Sequence, residues 1–168
     1  MFLSIDSLCH AIETSSVGTA IEGSPIGWPI IESLHLFAMV LMVGTITAFD
    51  VRLMGLAMRR VPVSRLAGRL LPWTWGAFGV MILTGGLLFA SEAETKYCFN
   101  PAFQIKLALI LLAGVNMSVF HFTVYRGVTN WDQSATTPLG LKLIGTFSVL
   151  LWAGVIIAGR WIGFAAIE

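Results

Sequence analysis

Charge is what this sequence has least of. Only 11% of its 168 residues are Asp, Glu, Lys or Arg, against roughly 25% in water-soluble domains, which excludes an ordinary soluble fold. Neither sign is in excess: ten Lys and Arg stand against nine Asp and Glu. The basic surplus that phosphate-backbone binding needs is therefore missing, and nucleic acid is not an expected partner. Cysteine is down to two, Cys9 and Cys98, too few for a disulfide scaffold and at a spacing that fits no structural zinc pattern. The first Lys or Arg is Arg52, so the cationic start of a cleaved signal peptide is lacking and the amino-terminal segment is expected to be retained. Gly-rich phosphate loops, a nucleophile elbow, a metalloprotease helix motif and internal repeats are all absent from the sequence.

What is present is apolar: 57% of residues are hydrophobic and the mean hydropathy is +0.85. At ~20 residues per span the length admits about four membrane crossings and no separate soluble domain. The expected fold is all-α, an integral membrane four-helix bundle preceded by a short amphipathic helix over about residues 2–15, where Phe2, Leu3, Ile5, Leu8, Ala11 and Ile12 recur at helical spacing. Spans are expected at about 30–56, 72–90, 102–124 and 139–164. Trp28 suits an interface anchor, and Gly76, Gly79, Gly85 and Gly86 suit close helix packing in lipid.

Orientation follows from counting cations by side. Arg52, Arg59, Arg60, Arg65, Arg69, Arg126 and Lys142 fall on one side, and only Lys96, Lys106 and Arg160 on the other. Both termini are thus expected outside the cytoplasm. Cys9 and Cys98 then share an oxidising side where a disulfide is permitted, two unrelated thiols being the other reading.

Ionisable residues inside a span are costly, so each is a functional candidate. Glu32, His35, Lys106 and Arg160 lie toward the outer boundary, and Asp50, Arg52, Asn116 and His121, with Arg69 and Trp73, toward the inner one. A haem bridged by His35 and His121 is excluded, because the helix rise separates their depths by ~20 Å. A haem would use His35, the metal-ligand candidate, with Lys106, His10 or water, be five-coordinate, or need a partner chain. Glu32 and His35 at i and i+3 share a face, so the carboxylate is placed to orient the imidazole or to pair with Lys106 or Arg160, whereas an interfacial network of snorkelling side chains is the bland alternative. Asp50 and Arg52 read either as partners of Arg69 or His121 or as a helix-end charge network. Met39 and Met42 read as core filling before copper ligands.

Seven stretches carry a resemblance: Ser24-Pro25, Glu32-Ser-Leu-His, Asp50-Val-Arg-Leu, Leu71-Pro-Trp-Thr-Trp, Phe103-Gln-Ile-Lys, Asn116 with Phe120-His121, and Gly159-Arg-Trp-Ile. Over nearly the whole chain they resemble an uncharacterised family of small four-helix bacterial inner-membrane proteins, which implies the topology and no activity. Leu34-His35, Arg52-Leu53, Lys106 and His121 are also distantly similar to HemJ-type protoporphyrinogen oxidases and CopD-like membrane proteins, which implies a b-type haem on His35. Asp50 stands where the HemJ family has Pro before Arg, and the amino-terminal segment has no counterpart there, so protoporphyrinogen oxidation is not carried over.

The functional expectation is a membrane protein that binds haem b at the outer cluster and passes electrons between a quinone and an extracytoplasmic partner. His35 would be the axial ligand, Glu32 its orienting group, and Lys106 with Arg160 the counter-charges of the propionates. Lipid, a periplasmic or membrane redox protein, and a second copy of the chain are the partners considered. The rival expectation is a non-catalytic subunit or anchor of a larger complex, and a carrier is disfavoured by the lack of a repeat.

Overall fold

The computed structural model describes residues 5–125, 128, 132 and 138–165. Among them every regular element is helical: α1 (Ile5–Glu13), α2 (Ser16–Glu22), α3 (Gly27–Leu53), α4 (Val63–Ser91), α5 (Pro101–Val119) and α6 (Leu139–Ala165), with π-helical turns at Ala93–Tyr97 and Phe120–Val124. The four longer helices, α5 together with the turn that extends it, are long and apolar enough to cross a membrane, and the protein is an integral membrane four-helix bundle. Its outward faces carry Phe37, Leu83, Leu111 and Leu150, all exposed, as a lipid-facing surface requires.

Helix α1 falls within the helix expected over about 2–15, and a second short helix follows it. Ser15 adopts an extended backbone and its hydroxyl accepts from Gly18 N at 3.2 Å, so the chain restarts as α2. A Cβ on Gly18 would lie 2.6 Å from the carbonyl oxygen of Ala90, and only the missing side chain lets α2 cross the end of α4 in backbone contact. Helix α1 is pinned to the α4–α5 connection. Cys9 is bonded to Cys98, Glu13 accepts from the backbone of Glu94 and Thr95 at 2.6 and 3.0 Å, and His10 meets Glu94 at 2.7 Å.

Helix α3 starts three residues before the expected boundary, because Pro29 in the first turn has no N–H for the helix to miss. It ends earlier than expected, followed by Gly55 at a φ of 73°. The larger difference is α4, which begins at Val63 rather than at about 72 and carries Pro72 inside it. The stretch read as a basic connection is helical because Val63, Leu66 and Ala67 recur at i, i+3 and i+4 and are buried, with Arg65 and Arg69 on the exposed side. Asp132 caps that start from the α5–α6 connection, accepting from Ser64 N at 2.9 Å and from the Ser64 hydroxyl at 2.5 Å. Asn100 does the same for α5, accepting from Ala102 N at 2.9 Å while its amide donates to Ile162 O on α6 at 3.1 Å.

The helices follow the spatial order α4, α3, α6, α5: α3 packs on α4 and α6, and α5 packs on α6. The outer pair, α4 and α5, makes no comparable backbone approach. They meet through side chains, at one end by Phe89 stacked on Phe103 with centroids 5.5 Å apart, at the other by Phe120 in the buried cluster with Leu66 and Ala67.

Candidate functional site

The gap between α4 and α5 holds a cavity of about 290 Å³, floored by α3 and α6. Its walls are apolar and aromatic, with Phe49, Trp75, Phe78, Phe120 and Trp152, interrupted by Asp50, Thr74, Asn116, Ser118 and Ser148. Asp50 is only 4% exposed. It is held in place by the close approach of α3 and α6, where a Cβ on Gly145 would lie 3.0 Å from its carbonyl oxygen. The Ser148 hydroxyl bonds to its carboxyl, and the remaining oxygen, Oδ2, is the one buried side-chain N or O without a hydrogen-bond partner among the described residues. Asn116 donates to Ile144 O at 3.2 Å, which leaves its second N–H and its carbonyl oxygen for a ligand.

The other residues expected beside Asp50 are elsewhere. Two positions apart on a helix do not share a face. Arg52, 3% exposed, turns to the α3–α4 connection and donates from Nε to Val61 O at 2.8 Å. Arg69 and His121 are exposed, the latter stacked on Tyr125 at 5.8 Å. Burial alone would push the Asp132 carboxyl up, but hydrogen bonds from Ser64 and Val63 and the field of Arg52 outweigh it and hold the group below the usual carboxylate range. The network expected around Asp50 is thus replaced by a cap on α4, and Asp50 is left to the cavity. Arg126 lies outside the described residues.

At the disulfide end, His35 is oriented by a residue the sequence did not single out. Its Nδ1 lies 2.9 Å from Thr84 Oγ1, and Thr84 itself donates to Val80 O at 2.7 Å. With the hydroxyl hydrogen so used, Nδ1 is the donor and the neutral ring keeps its lone pair on Nε2. Gly85 makes room for the ring, as a Cβ there would lie 3.2 Å from His35 Cε1. Glu32 is half-buried and makes no hydrogen bond to His35 and no ion pair with Lys106 or Arg160 among the described residues. Lys106 lies flat over Gly159, its Cδ, Cε and Nζ each 3.7 Å from where a Cβ would be, and Arg160 is exposed. The four residues thus share one end of the bundle without forming one hydrogen-bonded cluster. Met42 is buried with Ala38, Ala77 and Met81 as core, and among the described residues no three His, Cys, Asp or Glu side chains come together to hold a metal ion. Above this layer Lys96 pairs with Glu92 at 2.8 Å and sits 5.5 Å over the Trp28 ring. Burial, then the charges of Glu92 and Glu32, push the Tyr97 phenol up to about 12.

Fold and site together define a four-span membrane bundle with an intramembrane, acid-bearing crevice. Residues 13–165 match the model of a family described as a family of unknown function (DUF6644). The chain belongs to that family. No curated protein and no solved structure matches it.

Proposed function

We propose that the protein is a membrane redox protein whose crevice takes the head of a quinone and which passes electrons between that quinone and an extracytoplasmic partner. The observation that carries the reading is the buried carboxyl of Asp50, short of one hydrogen-bond partner, in the wall of an aromatic-lined cavity inside the bundle. An ionisable group at that place is expensive, and helix packing alone would be served by an apolar side chain of similar volume. A quinone is a flat apolar ring with two carbonyl oxygens. Trp75, Phe78 and Trp152 offer rings to stack on, a protonated Asp50 offers an O–H, and Asn116 offers its spare N–H.

The electron-transfer part of the reading adds haem b on His35. What supports it is the tautomer: with Nδ1–H held by Thr84, the Nε2 lone pair would serve as the donor of a neutral imidazole ligand. A bound haem would supply one-electron chemistry, with Lys106 and Arg160 at the same end for its propionates and Glu32 nearby as a further carboxylate. In the proposed setting, a bacterial inner membrane, the disulfide end faces outward, supported by the seven-to-three division of Lys and Arg and by a bond that oxidising compartments sustain.

The test uses the full chain in lipid nanodiscs. Trp75 and Trp152 lie in the crevice wall, so a quinone should quench tryptophan fluorescence saturably, and Asp50→Leu should abolish the saturable part. Wild-type quenching that merely rises linearly with quinone would overturn the quinone reading. A reduced-minus-oxidised visible spectrum tests the haem part, and a protein that stays colourless with ample haem present would remove it.

A further inference from the structure

Two apolar clusters close the crevice toward both ends of the bundle. Toward the arginine-rich end, Phe49, Leu53, Leu66, Ala67, Phe120 and Leu141 pack together beneath Asp50. Toward the disulfide end, Ala38, Met42, Ala77 and Met81 do so, with Phe78 and Trp152 against them. Among the described residues, apolar side chains thus separate Asp50 from both ends of the bundle. The side facing lipid is different. Trp75 on α4 lines the cavity yet is 57% exposed. Gly114 on α5 also lines it, is exposed, and has no atom within 4 Å of where a Cβ would stand. Between the Phe89–Phe103 stack and Phe120 the two helices thus leave a window whose α5 edge, from residue 110 to 120, runs ~15 Å.

Size adds a second constraint. Pockets that enclose a whole drug-sized molecule run from about 300 to 1,000 Å³, so a cavity of about 290 Å³ takes a one- or two-ring head and no more. Whatever else the ligand carries must pass through the window, where its surroundings are acyl chains.

We propose that the ligand of the crevice is a head-and-tail lipid that enters sideways from the bilayer between α4 and α5, its head against Asp50 and its tail lying in the window beside Trp75 and Gly114. The inference rests on the reading of the crevice as a quinone-head site and extends it to route and ligand shape. Gly114 is then a specificity-determining position: its missing side chain is the space the tail occupies. With the window as its route of entry, the ligand rather than a water file partners Oδ2 of Asp50, the oxygen that Ser148 leaves open.

The experiment compares Gly114→Phe and Gly114→Ala with wild type in nanodiscs, using two probes at matched bilayer concentration, a benzoquinone with a polyisoprenoid tail and the same ring without one. The space at Gly114 admits the Cβ of either variant without a clash, and circular dichroism with monodisperse elution checks that both fold. The phenylalanine should weaken binding of the tailed quinone by about tenfold, equivalent to about 1.4 kcal/mol, and leave the tailless ring within about twofold, a change of under half that energy. Alanine should leave both unchanged. Equal affinity of Gly114→Phe and wild type for the tailed quinone overturns the lateral window while leaving head binding intact, as does a wild type that binds only the tailless ring. A wild type that binds neither probe overturns the quinone-head reading and this inference with it.

Discussion

Thr84 and His35 are joined across α4 and α3 by a 2.9 Å hydrogen bond whose direction is set by a third atom, the Val80 carbonyl that takes the hydroxyl hydrogen of Thr84. Replacing Thr84 with Val keeps the shape and removes one acceptor, leaving the His35 ring the Met81 carbonyl alone, at a cost of about 1 kcal/mol, the usual net worth of one hydrogen bond. Thr84→Ser should recover most of that loss in unfolding titrations in mixed micelles. In the wild type, nitrogen NMR of the imidazole at neutral pH should show the proton on Nδ1, and a proton on Nε2 would contradict the assignment.

Asp50 separates hydrogen bonding from charge. An amide both donates and accepts, so Asp50→Asn should keep quinone affinity within about threefold, a change of under ~1 kcal/mol, whereas Asp50→Leu should lose saturable binding. Loss in both variants would point to a need for the proton itself.

These residues also show what can be read in advance from a chain of this kind. Asp50, Asn116, His35 and Lys106 are conspicuous in the sequence because polar groups inside apolar spans are few. Thr84 and Ser148 are not, since a helical Ser or Thr can satisfy itself on the carbonyl four residues back, as Thr84 does on Val80. The first three turns of α4 were hidden by their arginines, although Val63, Leu66 and Ala67 keep the helical period. The crevice itself has no local signature. It arises because α4 and α5, neighbours in the chain, are held apart by α3 and α6, a relation of pairing that span lengths and short connections leave open.

Asp132 makes stability depend on pH in a stated direction. Its carboxyl is held below the usual range by Ser64, Val63 and Arg52 against the opposing effect of burial. A depressed acid stabilises the fold above its unfolded value near 4 and loses that contribution as pH falls through its folded value. Asp132→Ala should therefore cost roughly 1 kcal/mol at neutral pH, as lost helix caps do, and that cost should shrink as pH falls through the folded value of Asp132, which lies below the usual carboxylate range.

Gly18→Ala reverses the ordinary propensity rule. Alanine in a helix normally stabilises by up to ~1 kcal/mol, but here its Cβ would lie 2.6 Å from the Ala90 carbonyl oxygen and meet Glu13 O as well. The variant should lose about 1–3 kcal/mol, the usual range for overpacking, and hydrogen exchange should speed up in α2 while α3 to α6 stay protected.

The site is tested most directly by photolabelling with a quinone that carries a diazirine on its head, in nanodiscs, followed by peptide mapping of the full chain. The account predicts saturable labelling of the crevice walls, on α4 between Leu71 and Phe78 and on α5 between Ile110 and Phe120, competed by unlabelled tailed quinone and lost in Asp50→Leu. Saturable labelling confined to the disulfide end around His35 and Lys106, or labelling of the crevice that Asp50→Leu leaves unchanged, would contradict it.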